Sequence, residues 1–382
     1  MRVHLLCSAC GREHDPASLI WRCPCGGLLD LPEFEARFLL ERIQSRPPSL
    51  WRYREALPFA PDSTGWQDVT MGEGFTPLIP MTPETPGVLL KVEYQMPTLS
   101  FKDRGAAVLV ARARELGVKR MIADSSGNAG TAIAAYAARA GIACDVYVPA
   151  SASTKKLRQI AAHGAAVHAI PGSREDTAAA AIAAVEREQV FYASHVYQPF
   201  FFQGTKTYAF EIWEQLGGSA PDTLVLPVGN GTLVLGVYYG FRDLLRAGLI
   251  ERLPRILAVQ AAGCAPLAQA FARGEDTAAP VINTGTEAEG IAIAAPARSR
   301  QILAAVRETR GLIITVSDAA IEQARSALAL RGFYVEPTAA APYAGLVEYI
   351  SSNLLSVASS SSLLPKGEQV IVPLCGAGLK TG

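Results

Sequence analysis

The sequence has no net charge and little charge of either sign. Thirty-five Lys and Arg balance thirty-five Asp and Glu, and only 18% of the 382 residues are charged, against about 25% in an ordinary soluble domain. Nucleic-acid binding needs clustered phosphate-neutralising charge, so this balance argues against a dedicated polyanion binder. It argues equally against a polybasic membrane anchor. Arg, Glu or Gly interrupts every Ala-rich stretch, so no run reaches the about 18 apolar residues of a membrane span. The start, Met1-Arg2-Val3-His4-Leu5-Leu6-Cys7, lacks the apolar stretch and small-residue cleavage site of a secretory signal. Cysteine is sparse and lopsided: four of seven fall in the first 25 residues. An odd count without a secretory signal fits a reducing cytoplasm, where thiols bind metal or stay buried.

What is present is apolar mass. Residues of that class make up 49% of the chain, and at roughly 150 residues per domain the length suits two to three domains or one two-lobed enzyme. Residues 1–31 are Cys- and Gly-rich; residues 32–66 carry Pro and aromatics and read as a short helix followed by a wrapping arm. From about 75 onward, near-continuous apolar runs at 88–93, 120–124, 144–148, 223–228, 255–259 and 370–374 read as strands covered on both faces. Helical stretches are expected at 103–116, 129–140, 154–163, 174–188, 205–216, 232–247, 298–309, 318–331 and 339–351, with Ser317 capping the helix at 318. The alternation predicts an α/β fold with parallel sheets. The second half of the Ser-rich segment 351–362 reads as a surface loop.

Cys7-Ser8-Ala9-Cys10 and Cys23-Pro24-Cys25 place four thiols on two turns. That is the ligand count of a tetrahedral structural Zn2+ site. A ribbon this small buries too little surface to fold alone, so metal is its natural staple. The alternative is four reduced thiols without metal. Ser18–Arg22 is expected to be a strand leading into the second pair, and His4 and His14 are expected at the surface.

Three further segments carry chemistry. In Ser100-Phe101-Lys102-Asp103-Arg104-Gly105 a lysine opens a helix, where the positive dipole end favours the neutral amine of Schiff-base chemistry. The alternative is a surface lysine paired with Asp103. Asp124-Ser125-Ser126-Gly127-Asn128-Ala129 joins a strand to a helix, and its small residues let helix N–H groups approach a carboxylate; an ordinary capped turn reads equally well. Gly229-Asn230-Gly231-Thr232-Leu233 is a third strand-to-helix turn. It reads as an anion nest suited to a monophosphate, lacking the Gly-Lys-Ser/Thr of a nucleotide loop and the three-glycine dinucleotide pattern; the alternative is a tight strand-to-helix turn.

In this order, and with Gly72-Glu73-Gly74-Phe75-Thr76-Pro77-Leu78, Gly204-Thr205-Lys206-Thr207, Val335-Glu336-Pro337-Thr338 and Gly376-Ala377-Gly378-Leu379-Lys380, these segments resemble the fold-type-II pyridoxal-phosphate enzymes, most closely the threonine synthase family. The resemblance covers essentially the whole chain. It implies a two-lobed, tryptophan synthase β-like fold with an N-terminal zinc-ribbon-like segment. The lobes implied are a larger cofactor-binding domain of residues 32–117 and 206–382 and a smaller substrate-side domain of residues 118–205. It implies a homodimer and a small amino-acid substrate. Lys102 would hold pyridoxal 5'-phosphate as a Schiff base and act as general base. Asn128 would bond the pyridine 3′-oxygen, Gly229, Asn230, Gly231, Thr232 and Leu233 would hold the cofactor phosphate, and Cys375 would stand beside the pyridine nitrogen. Ser125, Ser126, Gly127 and Ala129 would bind the substrate carboxylate. The ribbon ligands would be Cys7, Cys10, Cys23 and Cys25. The implied activity converts O-phosphohomoserine and water to threonine and phosphate.

Two positions depart from the family. Pro199-Phe200-Phe201-Phe202-Gln203 is aromatic where the family commonly carries a substrate-phosphate arginine, and Ala377 replaces a common histidine. Losing a guanidinium partner costs a dianion several kcal/mol unless something replaces it. Arg104 and Lys206 are candidates, against readings as an ion-paired arginine and a helix-surface lysine. Cys375 and Ala377 also suit a serine/threonine dehydratase or another β-eliminating enzyme on an unphosphorylated amino acid. The different-class reading is a non-catalytic scaffold protein. The phenylalanines read as a pocket wall or an interface. Cys144 and Cys264 read as core thiols, and His163, His168 and His195 as surface or satisfied histidines. Glu336 reads as a cofactor-side orienting group or a turn carboxylate.

Overall fold

The computed structural model describes residues 4–83, 85, 87–152, 154–354 and 367–380. The chain divides into two compact units, Met1–Phe75 with Met96–Thr207, and Thr76–Gln95 with Tyr208–Gly382. In chain order, β1 (Leu5–Cys7), β2 (Glu13–His14) and β3 (Leu29–Asp30) form the ribbon, followed by α1 (Leu40–Ser45) and two 3-10 turns. The strands β4 (Leu78–Pro80) and β5 (Val88–Lys91) begin the second unit. Next come α2 (Lys102–Glu115), β6 (Arg120–Ala123), α3 (Asn128–Arg139), β7 (Ala143–Pro149) and α4 (Thr154–Ala162). They lead to β8 (Ala166–Ile170), α5 (Arg174–Glu188), β9 (Phe191–Tyr192) and α6 (Pro199–Thr205). The remainder holds α7 (Thr207–Gln215), β10 (Thr223–Pro227), α8 (Thr232–Arg246), β11 (Arg255–Ala261) and α9 (Pro266–Ala272). It ends with α10 (Ser299–Glu308), β12 (Leu312–Val316), α11 (Asp318–Ala329), α12 (Pro337–Leu354) and β13 (Val370–Pro373).

In the first unit, β8-β7-β6-β9 form a parallel sheet. Parallel neighbours require helical crossovers, and the Ala-rich helices supply them. α2 is buried almost all round: Ala106–Ala111 and Ala113 are sealed from solvent. Its small side chains let it pack against both α3 and α6. The ribbon is not independent, because Leu5, Cys7, Cys23 and Leu29 join Leu50, Trp51 and α2 in one core. The strand expected at Ser18–Arg22 is absent. There Asp15 accepts the Ala17 N–H at 2.8 Å and the chain bends. Trp21 instead meets Tyr192 and Tyr197 edge-on at 5.4 and 5.0 Å.

The second unit holds a six-stranded sheet, β12-β11-β10-β13-β5-β4, parallel except for the edge strand β4. β10 and β13 are buried along their whole length, which is why they read as unbroken apolar runs. Lys91, at the end of β5, is fully buried with its Nζ 2.9 Å from the Glu211 carboxylate, 2.5 Å from the Thr76 carbonyl and 3.0 Å from Gln215 Oε1. It thereby ties α7 to the sheet.

The six expected strands all form. The periodicity misses β8, β9 and β12, all at sheet edges: β8 and β12 have partly exposed faces, and β9 is only two residues long. The helix expected at 205–216 forms as α7, and a short helix not expected, α6, precedes it with Pro199 at its N1 position. α12 runs to Leu354, and the loop expected in the second half of 351–362 lies outside the described residues. Among the described residues no helix is long and apolar enough to cross a membrane.

Candidate active site

Lys102 is the first residue of α2. The turn before it places Leu99 at φ 63, a left-handed conformation costly for a branched residue. Asp103 is fully buried and accepts the Thr98 N–H at 2.7 Å and the Thr98 hydroxyl. Its carboxylate therefore anchors the turn. Lys102 is half-buried, with Nζ 4.6 Å from the Phe101 ring centre and 5.8 Å from that of Phe201. An amine held against aromatic rings at a helix N-terminus is the placement that nucleophilic amine chemistry needs.

Phe201 reaches this position because α2 and α6 touch through glycines. A Cβ on Gly105 would fall 2.3–2.5 Å from the Phe201 ring, and one on Gly204 would fall 1.9 Å from the Arg104 carbonyl. Phe200, Phe201 and Phe202 are all buried. Arg104 is fully buried and donates to Thr207 Oγ1 at 3.0 Å. Lys206 does not lie on a helix surface: it is 1% exposed, with Nζ 4.3 Å from the Phe34 ring centre.

The turn after β6 leads directly into α3, whose N-cap is Gly127. Ser125 and Ala129 are buried, and Ser126, Gly127 and Asn128 keep part of their surface. Gly127 donates its N–H toward Ser125 Oγ at 3.4 Å. The first N–H groups of a helix have no intrahelical acceptor, so Asn128, Ala129 and Gly130 present theirs at the C-terminal edge of the parallel sheet. Ligands bind at that edge in open α/β sheets.

Beside this turn stands a residue that local sequence signals do not mark. β9 pairs with β6 (Met121↔Phe191, Ile122↔Tyr192), and the Ala193 N–H extends the pairing to the Ile122 carbonyl at 2.8 Å. The chain then delivers His195 to the same edge. His195 is not a surface histidine: it is 6% exposed, and its buried Nδ1 has no hydrogen-bond partner. Its ring meets that of Phe201 at 6.0 Å and 64°. Burial, then the positive charges of Lys102 and Arg174, holds the imidazole well below its usual range and so neutral. Just after the neighbouring strand β6, burial pushes the Asp124 carboxyl up to about 6, opposed by the charge of Arg174 and by the Tyr192 and Ser194 hydroxyls. Asp124 Oδ1 is also buried without a hydrogen-bond partner.

In the second unit, Gly229–Leu233 link β10 to the fifteen-residue α8. Gly231 is the N-cap at φ 77 and supplies no competing side chain. A Cβ there would lie 2.4 Å from Ile302, and one on Gly229 would lie 2.8 Å from Ile293. The turn is thus a tight backbone cradle at a long helix's positive end, with Thr232 and Leu233 buried beneath it. It matches the donor set that a phosphate monoester requires. Cys375, 1% exposed, follows β13. Glu336 lies beside it in the fold: its N–H bonds the Gly376 carbonyl at 3.1 Å, and Val335 bridges to Ala377.

In the ribbon, the sulfurs of Cys7, Cys10, Cys23 and Cys25 lie within 4.8 Å of one another. Cys7–Cys25, Cys10–Cys25 and Cys10–Cys23 are 3.5, 3.4 and 3.8 Å apart. A tetrahedron with Zn–S bonds of ~2.3 Å has edges of about 3.8 Å. The Ala9 and Gly27 N–H groups point at the Cys7 and Cys25 sulfurs at 3.4 Å. Burial works to raise the Cys7 thiol, but N–H groups of Cys10 and Ala9 and the neighbouring thiols outweigh it and lower it to about 6. His14, expected at the surface, turns its Nε2 to within 3.3 Å of Cys23 Sγ. Cys144 and Cys264 are buried, and burial raises both thiols, Cys144 to about 12. They are inert core residues. His168 pairs with Asp145 at 2.7 Å and stacks on Tyr147.

Comparison with known proteins agrees with this geometry. Residues 69–376 match the family model described as pyridoxal-phosphate dependent enzyme. A threonine synthase of Methanosarcina acetivorans is 34% identical over 97% of this chain and 94% of its own length. A threonine synthase of Methanocaldococcus jannaschii is 33% identical over 98% and 92%. Among solved structures, the processed form of threonine deaminase isoform 2 from Solanum lycopersicum superposes with a TM-score of 0.68 at 21% identity, covering 94% and 92% of the two chains; that likeness concerns the fold. The lysine at a helix start, the Ser125–Ala129 turn and the glycine cradle thus occur in a chain that belongs to the pyridoxal-phosphate-dependent enzymes, on the threonine synthase branch.

Proposed function

We propose that the protein converts O-phosphohomoserine and water to threonine and phosphate. The observation that carries this reading is Lys102, held at the first turn of α2 against Phe101 and Phe201, in a chain a third identical to threonine synthases along nearly its whole length. Bound pyridoxal phosphate supplies the electron sink for charge developed at Cα. The rest is the work of the chain. Gly229–Leu233 would hold the cofactor phosphate through backbone amides, Asn128 would orient the ring oxygen, and Cys375 would give the pyridine nitrogen a neutral neighbour. Ser125, Ser126, Gly127 and Ala129 hold the substrate carboxylate. Lys102 takes the Cα proton onto Nζ as general base.

A second reading, a dehydratase acting on threonine or serine, is favoured by one observation: buried Phe201 stands in the segment where an arginine is common. Incubating the holoenzyme with O-phosphohomoserine should yield equal amounts of phosphate and threonine. Release of 2-oxobutyrate from threonine, with no phosphate from the phosphorylated substrate, would replace the first reading with the second.

We further infer that Cys7, Cys10, Cys23 and Cys25 bind one Zn2+ that staples the ribbon, and that the enzyme works as a cytoplasmic homodimer. The sulfur spacings and the N–H groups aimed at them support the metal. Elemental analysis of the purified chain should give one zinc per protomer, and Cys23→Ser should lose it and lower the unfolding midpoint. A metal-free wild type with all four thiols reactive would remove the staple.

A further inference from the structure

We propose that His195 receives the leaving-group end of the substrate and takes up a proton as it binds, becoming the cation that the aromatic segment 199–203 does not supply. This rests on the reading of the enzyme as one that acts on a phosphorylated amino acid. The geometry is local to one unit. His195 and Lys102 both lie beside Phe201, whose ring is 6.0 Å from the imidazole and 5.8 Å from Lys102 Nζ. The sheet pairing sets His195 at the edge that also carries the Ser125–Ala129 turn. A polar ring nitrogen buried without a partner is costly, and an incoming oxygen relieves that cost.

The charged groups around the imidazole explain its switch. Lys102 reaches it from α2 and Arg174 from the start of α5, and both favour the neutral ring. Asp124 directly follows β6, and the hydroxyl of Ser194, just after β9, interacts with its carboxyl. A phosphate dianion reverses the local balance and favours imidazolium. Arg174 then serves as a second cation at the same edge. The Ser173–Asp176 capping box already occupies the N-terminus of α5, so the guanidinium, not the helix end, is the anion partner offered there. In the reaction the C–O bond breaks with its electron pair going to oxygen. The imidazolium proton moves to that oxygen, leaving hydrogen phosphate and neutral His195.

The test uses holoenzyme, in which the cofactor's own phosphate site is filled, and inorganic sulfate as a dianion that does not titrate near neutrality. Calorimetric titration at pH 8 in two buffers of different ionisation enthalpy measures proton uptake directly. Wild type should take up close to one proton per sulfate, and its affinity should fall nearly tenfold per pH unit above neutrality. His195→Gln, still binding cofactor by its absorbance, should bind sulfate without proton uptake. Uptake that persists in His195→Gln, binding without uptake in wild type, or no sulfate binding at millimolar concentration each overturns the proposal. Threonine formation from O-phosphohomoserine is measured separately. Threonine without uptake removes the role of His195 and leaves the function standing, whereas uptake without threonine does the opposite.

Discussion

Lys102→Ala is expected to lower turnover by about 10³-fold or more, the scale of a lost general base, and to leave thermal unfolding almost unchanged. The two effects separate because of where the side chain sits. It opens α2 and projects past Phe101 and Phe201, while the helix itself is held by Ala106–Ala113 and by the glycine contacts with α6. Alanine is the best helix former, so the backbone loses nothing. Steady-state kinetics and a melting curve on the same preparation decide the matter. A small added primary amine should restore part of the activity, because it returns a base to the vacated space. Turnover within tenfold of wild type would mean that another group takes the Cα proton.

Lys91→Met should act in the opposite sense, damaging stability first. It leaves the Glu211 carboxylate buried without its ammonium partner and removes one of two donors to the Thr76 carbonyl and the donor to Gln215 Oε1. Breaking one side of a buried ion pair costs about 3–5 kcal/mol. For a unit of this size that lowers the unfolding midpoint by about 10 °C. Combining Lys91→Met with Glu211→Leu should recover much of the loss, since both charges then leave the interior. A single variant that melts within 2–3 °C of wild type, on the order of 1 kcal/mol, would show that the pair contributes little.

Features carried by contiguous residues are legible in the sequence itself. The starts of α2, α3 and α8 fall within a residue of expectation because each follows a strand-turn-helix signal written in one short segment. The Cys cluster and both glycine-rich turns were legible for the same reason. His195 was not. Its neighbours in sequence are unremarkable, and its character comes from Lys102, Arg174 and Phe201, brought to it by a sheet pairing and a helix contact. Lys206 misled in the same way, because its burial depends on Phe34. Trp21 looked like part of a strand because its local pattern is apolar; its true partners, Tyr192 and Tyr197, lie about 170 residues further on. β8, β9 and β12 escaped because short or edge strands bury too little to imprint a pattern.

The sheet order of the second unit sets a schedule for synthesis. β5 pairs with β4 on one side and β13 on the other, Val88 opposite Val370. On the ribosome the first partner is already made, while the second arrives some 280 residues later, after tens of seconds at about 5–20 residues per second. The strands of the first unit's sheet lie between Arg120 and Tyr192 and find one another long before that. β10 likewise keeps one edge open until β13 emerges. The unit that bears the phosphate cradle therefore completes its sheet only once Val370 has emerged, and a stop before it removes the sheet's middle, not its edge.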